Sequence, residues 1–303
     1  MSKRWRMPLI LTALMAISIF ISACGGDTTT GANPTAPASP GGPTCVQGNL
    51  TASGSTALAP LVKAVADDYQ KKCSGATITV NLGGSSTGLS NVEAGSSDIG
   101  NSDVFKKAGQ DDLVDHQVAV VIFGVIINSN ISGVTNLTTA QLKDIYSGKV
   151  TNWKEVGGPD KKIVVVSRPT SSGTRATFQN YILGGPESIS GPQSLTTDTT
   201  STVIQNVGQN DGAIGYAATG PLKNAQGVTT ISIDGKAPTE DTVKNNTYKF
   251  WAPEHMYTKG QPSALAKALI DYMTSDFGAQ QARAQNFVSI KDMDPAALQA
   301  RTK

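Results

Sequence analysis

Three times in this chain an apolar run stops at a small turn of glycine and hydroxyl residues, and helical periodicity begins directly after it. Leu50-Thr51-Ala52-Ser53 runs into Gly54-Ser55-Thr56. Thr77 to Leu82 runs into Gly83-Gly84-Ser85-Ser86-Thr87-Gly88. Ile163-Val164-Val165-Val166 runs into Ser167-Arg168-Pro169-Thr170-Ser171-Ser172-Gly173-Thr174. Short apolar runs alternating with helical periods predict an α/β fold. In open α/β sheets such turns lie at the carboxyl edge, where ligands bind.

A helix start exposes unpaired backbone N–H groups and about half a positive charge. That makes it a natural anion site. Serine and threonine hydroxyls add donors, and glycine lets the backbone approach closely. Any single turn is equally explained by N-capping. Three turns together, one carrying Arg168 at its strand end, point to a site for a tetrahedral anion, with Arg168 offering a bidentate pair. Arg175 lies within the following helix, where facing the cleft and pairing with a surface acid both fit.

Asp103 ends a third short strand, Asp98-Ile99-Gly100-Asn101-Ser102. An ionised carboxylate only accepts hydrogen bonds. It repels a fully deprotonated anion such as sulfate, whereas phosphate near neutral pH keeps a proton that it can donate. A group left unpaired in that contact costs about 1–3 kcal/mol, more if charged. Capping of the next turn is the plain structural alternative for Asp103.

Hydrophobic residues make up 39% of the 303 residues, enough for a large core and two domains. The formal charge of +2 gives no basic excess for nucleic acid. Lys3, Arg4 and Arg6 precede an apolar stretch from Met7 to Ile21, too short for a good membrane span. It ends Ile21-Ser22-Ala23-Cys24, which resembles the lipobox of bacterial lipoproteins, with Ile21 where leucine is preferred. An ordinary signal peptide cleaved elsewhere is the alternative. Losing the three basic residues moves the formal charge to −1. Residues 25 to 43 are glycine, threonine, proline, alanine and serine with one aspartate and one asparagine, the composition of a flexible tether. Cys45 and Cys73 flank the first strand and first helix, at one end of that unit. A disulfide and two free buried thiols both fit.

Val118 to Asn128 is long and mostly apolar, a central strand able to cross between domains. Helices are expected from Leu137 to Gly148, Thr202 to Gly208 and Ser263 to Thr274, and a strand near Tyr248 to Tyr257. A weak internal echo is visible. Thr51 to Thr56 parallels Val166 to Thr174. Leu89 to Gly95 with Asp98-Ile99-Gly100 parallels Val203 to Gly208 with Ala213-Ile214-Gly215.

The segments SGSTALAPLV, GGSSTGLSNVEAGSSDIGNSDVF, LVDHQVAVV, LTTAQLKDIYSGKVTNWKEVGG, VVSRPTSSGTRATFQNY, GAIGY and EHMYTKG carry a resemblance from about Asn49 to Met293. Together they resemble the phosphate-binding proteins of bacterial ABC-type phosphate importers. The resemblance implies a two-lobed, type II periplasmic-binding-protein fold, each lobe a mixed sheet flanked by helices, closing on one phosphate. By position it implies ligand contacts at Thr56 and the Ala57 amide, Ser85, Asp103, Arg168, Ser172, Gly173 and Thr174. Trp153, Trp251 and His255 are expected to pack or hinge. The implied organisation is a lipoprotein signal peptide at 1–23 and a linker at 24–44. Lobe I spans 45–122 and returns at 250–303, and lobe II spans 123–249. Lipidated Cys24 is expected to hold a monomer outside the cytoplasm, on the membrane, near its ABC permease subunits, with no cofactor, metal or catalytic residue.

Two other readings stay open. The same fold can serve sulfate or molybdate. An enzyme acting on phosphate esters needs machinery that the sequence lacks: it has no G-x-S-x-G elbow, no P-loop lysine, and only His116 and His255 as histidines.

Overall fold

The computed structural model describes residues 42–189 and 194–301. The expected leader, Cys24 and the expected tether through residue 41 lie outside the described residues. The first half holds β1 (Gly48–Gly54), α1 (Ala59–Lys72), β2 (Ala76–Leu82), α2 (Ser85–Glu93), β3 (Ile99–Ser102) and the 16-residue β4 (Leu113–Asn128). Next come β5 (Asn136–Leu137), α3 (Thr139–Tyr146), β6 (Val164–Ser167), α4 (Gly173–Phe178), β7 (Ser194–Thr196), α5 (Thr200–Gln209), β8 (Ala213–Ala218), β9 (Val228–Ile233) and α6 (Glu240–Lys244). The chain closes with β10 (Trp251–Lys259), α7 (Ala264–Met273), α8 (Asp276–Ala284), β11 (Phe287–Ser289) and α9 (Pro295–Gln299).

Strand order is β2-β1-β3-β10-β4-β8-β6-β7. The weak echo in the sequence corresponds to one arrangement used twice. β1 lies between β2 and β3, all parallel, and β6 lies between β7 and β8, again parallel. Each trio is bordered by an antiparallel strand, β10 beside β3 and β4 beside β8. Parallel strands running the same way put the ends of β1, β3 and β6 on the edges that carry the polar turns.

β4 joins the two halves. Its residues 113–122 pair with β10, and Phe123 to Ile127 pair with β8. Every residue from Val118 to Asn128 is buried, as a strand covered on both faces requires. It begins five residues before the apolar run, because Leu113 to Gln117 is mostly less buried while still pairing with β10. The helix expected from Thr202 begins at Thr200, where the Thr199 side chain caps it by accepting from the Thr202 N–H. The strand expected near Tyr248 begins at Trp251, and Tyr248 instead donates its hydroxyl hydrogen to the Phe123 carbonyl at 2.8 Å.

α1 buries Leu61, Val62, Val65, Ala66 and Tyr69 along one stripe, with Pro60 in its first turn. The Tyr69 hydroxyl donates to the Thr44 carbonyl at 2.8 Å and accepts from the Val46 N–H at 2.9 Å, tying down the entry to β1. Trp153 is wholly buried and donates its indole N–H to the Gly212 carbonyl at 2.9 Å. A disulfide joins Cys45 to Cys73, with Cα atoms 5.1 Å apart and a sequence separation of 28. Closing a loop of that length constrains the unfolded chain by about 3 kcal/mol. Reduction is therefore expected to lower the melting temperature by about 6–12 °C. Scanning calorimetry with and without a thiol reductant measures this, and an unchanged transition would contradict it.

Candidate functional site

Four strand ends converge on one buried polar cluster. β1 delivers Ser55 and Thr56, β3 delivers Asp103, β6 delivers Arg168, and the segment after β7 delivers Asp198 and Thr200. Ser85 begins α2, and Ser172, Gly173 and Thr174 begin α4. Each of these side chains apart from Asp198 is buried. Gly54 has φ +132°, and a Cβ there would meet the Asn101 carbonyl oxygen at 2.2 Å. Only glycine lets β1 end this close to β3.

Asp103 and Arg168 are buried charges of the cluster. They come from opposite halves of the sheet and are 3% and 1% exposed. The Asp103 Oδ1 accepts from the Ser55 hydroxyl, and its Oδ2 accepts from the Thr174 hydroxyl at 2.9 Å. Its backbone N–H donates to Ser85 Oγ at 3.0 Å. The Arg168 Nη2 donates to Thr56 Oγ1 and to the Asp198 carbonyl, both at 3.0 Å. Arg168 Nε and Nη1 are buried with no hydrogen-bond partner. Burial pulls the guanidinium below its usual pKa, and the nearby Asp103 charge opposes that pull. A buried, charged donor pair with nothing to donate to is strongly unfavourable by itself. Two oxygens of one oxyanion would satisfy it in the bidentate geometry that arginine favours.

Several bonds run directly between the halves. Thr56 Oγ1 accepts from the Thr200 N–H at 3.3 Å and shares a hydroxyl contact with Thr200 Oγ1 at 3.2 Å. The Ser86 N–H donates to the Ser171 carbonyl at 3.0 Å. Gly84 sits beside that contact with φ +86°, and a Cβ there would lie 2.7 Å from the Ser171 oxygen.

Thr56, Ser85, Asp103, Arg168, Ser172, Gly173 and Thr174 all meet here. Ala57 is buried with them, but its amide donates to Ser55 Oγ at 3.1 Å. A ligand-facing role for that amide competes with this bond. Ser172 caps α4, its Oγ accepting from the Arg175 N–H at 3.2 Å. Arg175 follows neither expected course. Its Nη1 donates to the Arg168 carbonyl at 2.7 Å, and its Nε lies 3.6 Å from the buried Glu187 carboxylate. It therefore braces the backbone of the residue that carries the site's positive charge. Trp251 and His255 are wholly buried. His255 Nδ1 lies 2.8 Å from Asp115 Oδ1, away from the cluster's hydrogen bonds.

Ser55 and Thr200 belong to the site but were not singled out in the sequence. Ser55 is the residue whose hydroxyl meets both Asp103 and the start of α1, where its Oγ accepts from the Ala57 and Leu58 amides. Its signal was the first polar turn itself. Thr200 follows β7, of which three residues are described, and no apolar run as long as those before the other turns marks it in the sequence. Among the described residues no group of three or more His, Cys, Asp or Glu is placed to hold a metal ion.

A family model for the PBP superfamily domain matches residues 39–276. The phosphate-binding protein PstS of Bacillus subtilis is 42% identical over 290 residues, covering 94% of this chain and 95% of that protein. A Clostridium perfringens protein assigned to phosphate ABC transport, solved with bound phosphate, superposes with a TM-score of 0.75 at 32% identity. That match covers 80% of this chain and 100% of the other. An ABC-type phosphate transport receptor from Vibrio cholerae superposes with a TM-score of 0.65 at 28% identity, covering 79% and 99% of the two chains.

Proposed function

The chain belongs to the PBP superfamily domain family and, within it, to the phosphate-binding proteins of ABC-type transport, and on that premise we propose that it captures inorganic phosphate between its two halves and passes it to a membrane permease. The observation that carries this is the buried pair of Asp103 and Arg168 supplied from opposite halves. Arg168 offers two unpartnered N–H groups to oxyanion oxygens, and Asp103 offers an acceptor to an oxyanion that still holds a hydrogen. Hydroxyls of Thr56, Ser85 and Thr174 complete the lining. The lobes take the boundaries 45–122, 123–249 and 250–303, with β4 and the lead into β10 as the two crossings.

Cys24 carries lipid in this proposal, and residues 24–44 act as a tether. Anchoring raises the concentration of the protein near its permease. A single acyl chain binds a membrane marginally, so stable attachment takes several. The role is binding without turnover, by a monomer outside the cytoplasm. Incubation with chromogenic phosphate esters is expected to release no product.

The central test is calorimetric titration of the purified protein with phosphate, arsenate and sulfate. Phosphate and arsenate are expected to bind and compete. Sulfate is expected to bind at least about 10- to 100-fold more weakly, since it leaves Asp103 facing an acceptor. In Asp103→Asn the carboxamide can donate, so the gap between phosphate and sulfate narrows. Equal affinity of the wild type for both anions would overturn the reading.

A further inference from the structure

Glu254 stands in β10, where the antiparallel register pairs His255 with Ser102, and the next step falls on Asp103. On the other side of the strand its partner is Ala119 of β4. The Glu254 side chain is 0% exposed, and neither carboxyl oxygen has a hydrogen-bond partner to accept from. The strand register sets it beside another carboxyl, Asp103, and that charge acts on it. Two carboxylates are both acceptors, so they can bond only through a proton held on one of them. Asp103 is the member that accepts hydrogen bonds, from the Ser55 and Thr174 hydroxyls. Glu254 has no such donors. Burial first, and then the Asp103 charge, push its carboxyl well above the usual range.

We propose that Glu254 is a specificity-determining positioning residue, a neutral carboxylic acid that donates a hydrogen bond to Asp103 and so limits what that carboxylate can accept from a bound anion. An ionised carboxylate offers about four lone-pair positions. Ser55 and Thr174 fill two of them, and Glu254 fills a third. One position is left, matched to an oxyanion that presents one hydrogen. The acid also fixes the orientation of Asp103 without adding a second negative charge beside the ligand. The strand register shifts between Glu254 and His255, a kind of irregularity that re-aims side chains next to binding sites. This inference rests on the phosphate reading above, since it concerns the contact that reads the ligand's hydrogen.

Infrared difference spectra and calorimetry test it together. At neutral pH the wild type is expected to show the C=O stretch of a buried protonated carboxyl, absent from Glu254→Gln and shifted when inorganic phosphate is added. Glu254→Gln keeps an N–H donor, so its phosphate affinity should stay within about threefold of wild type. Glu254→Leu removes the donor, and phosphate affinity should fall about 10- to 100-fold, the range for a hydrogen bond to a charged group. The phosphate-to-sulfate ratio should shrink in the same variant. Absence of the protonated band, or a leucine variant with wild-type affinity and selectivity, overturns the proposal. Should Glu254→Leu fail to fold, the band and its loss in Glu254→Gln decide alone. A wild type that shows the band but ignores phosphate would overturn the function, and with it the specificity role of Glu254.

Discussion

Replacing Arg168 with methionine is expected to weaken phosphate binding by at least about 100-fold, and up to several thousand-fold, while leaving a folded protein. The range is that for truncating one member of a buried, hydrogen-bonded charge contact. The guanidinium is buried to 1% exposure, and two of its nitrogens have no protein partner. Those nitrogens add nothing to the fold and cost desolvation. Asp103 does not depend on Arg168 for its hydrogen bonds, because Ser55 and Thr174 supply them. Methionine fills similar volume with no group to satisfy, so the ligand-free melting temperature should not fall. Arg168→Lys keeps the charge but loses the planar fork. It should bind phosphate better than the methionine variant and still at least about tenfold worse than wild type, the loss expected from one charge-assisted hydrogen bond. Calorimetry for affinity and thermal melts without ligand separate the two effects. A methionine variant with near wild-type affinity would remove arginine from the account of recognition.

Gly173→Ala is expected to be nearly as damaging to binding, for a different reason. A Cβ on Gly173 would lie 2.2 Å from Ser85 Oγ and 2.9 Å from the Asp103 and Ser85 Cβ atoms. Gly173 belongs to the second half, while Ser85 and Asp103 belong to the first. The added methyl therefore stands between the halves and props them apart. Within its own half alanine is welcome, since position 173 opens α4 and alanine is the better helix former by up to about 1 kcal/mol. The variant should be at least as stable as wild type without phosphate. It should bind phosphate at least about 100-fold more weakly, because two or more charge-assisted hydrogen bonds made only at close approach are lost. Small-angle scattering should show compaction on adding phosphate to the wild type and none in the variant. Tight binding by Gly173→Ala would show that the halves need not approach this closely.

Much of this site was legible because chemistry and position coincide in the sequence. Thr56, Ser85, Arg168 and Ser172 to Thr174 lie where an apolar run meets a polar turn, and a strand end is a local property of the chain. Asp103 joined them as the end of a third short strand, and the resemblance to phosphate-binding proteins implied the set of ligand contacts. Glu254 was hidden for the opposite reason. It sits inside a buried strand, in the segment EHMYTKG, and its partner Asp103 lies 151 residues earlier. Nothing in local periodicity marks a strand glutamate as facing another acid. Thr200 was obscured because no long apolar run leads into it, and Arg175 by a salt partner, Glu187, whose placement depends on tertiary packing.

The fold shows the same division. β1, β2, α1, α2 and the core of β4 declared themselves through period and turn chemistry. β11 has three residues and β9 six, and both pair with β4 across long sequence distances. α8 has Ser275 as a side-chain cap but only Gly278, Ala279 and Ala282 buried. A stripe of such small residues carries little hydropathy signal.

The bonds that run from one half to the other have a cost that appears only in a population of molecules. Thr174 to Asp103, Arg168 to Thr56 and Ser86 to Ser171 are contacts of the protein with itself. They favour the shut jaws whether or not cargo is present, which raises apparent affinity by enlarging the binding-competent fraction. In the proposed transport role the same bias would produce unloaded decoys. A permease that recognises only the shut outline would accept them in proportion to their abundance, so tighter self-latching trades capture against wasted visits to the membrane.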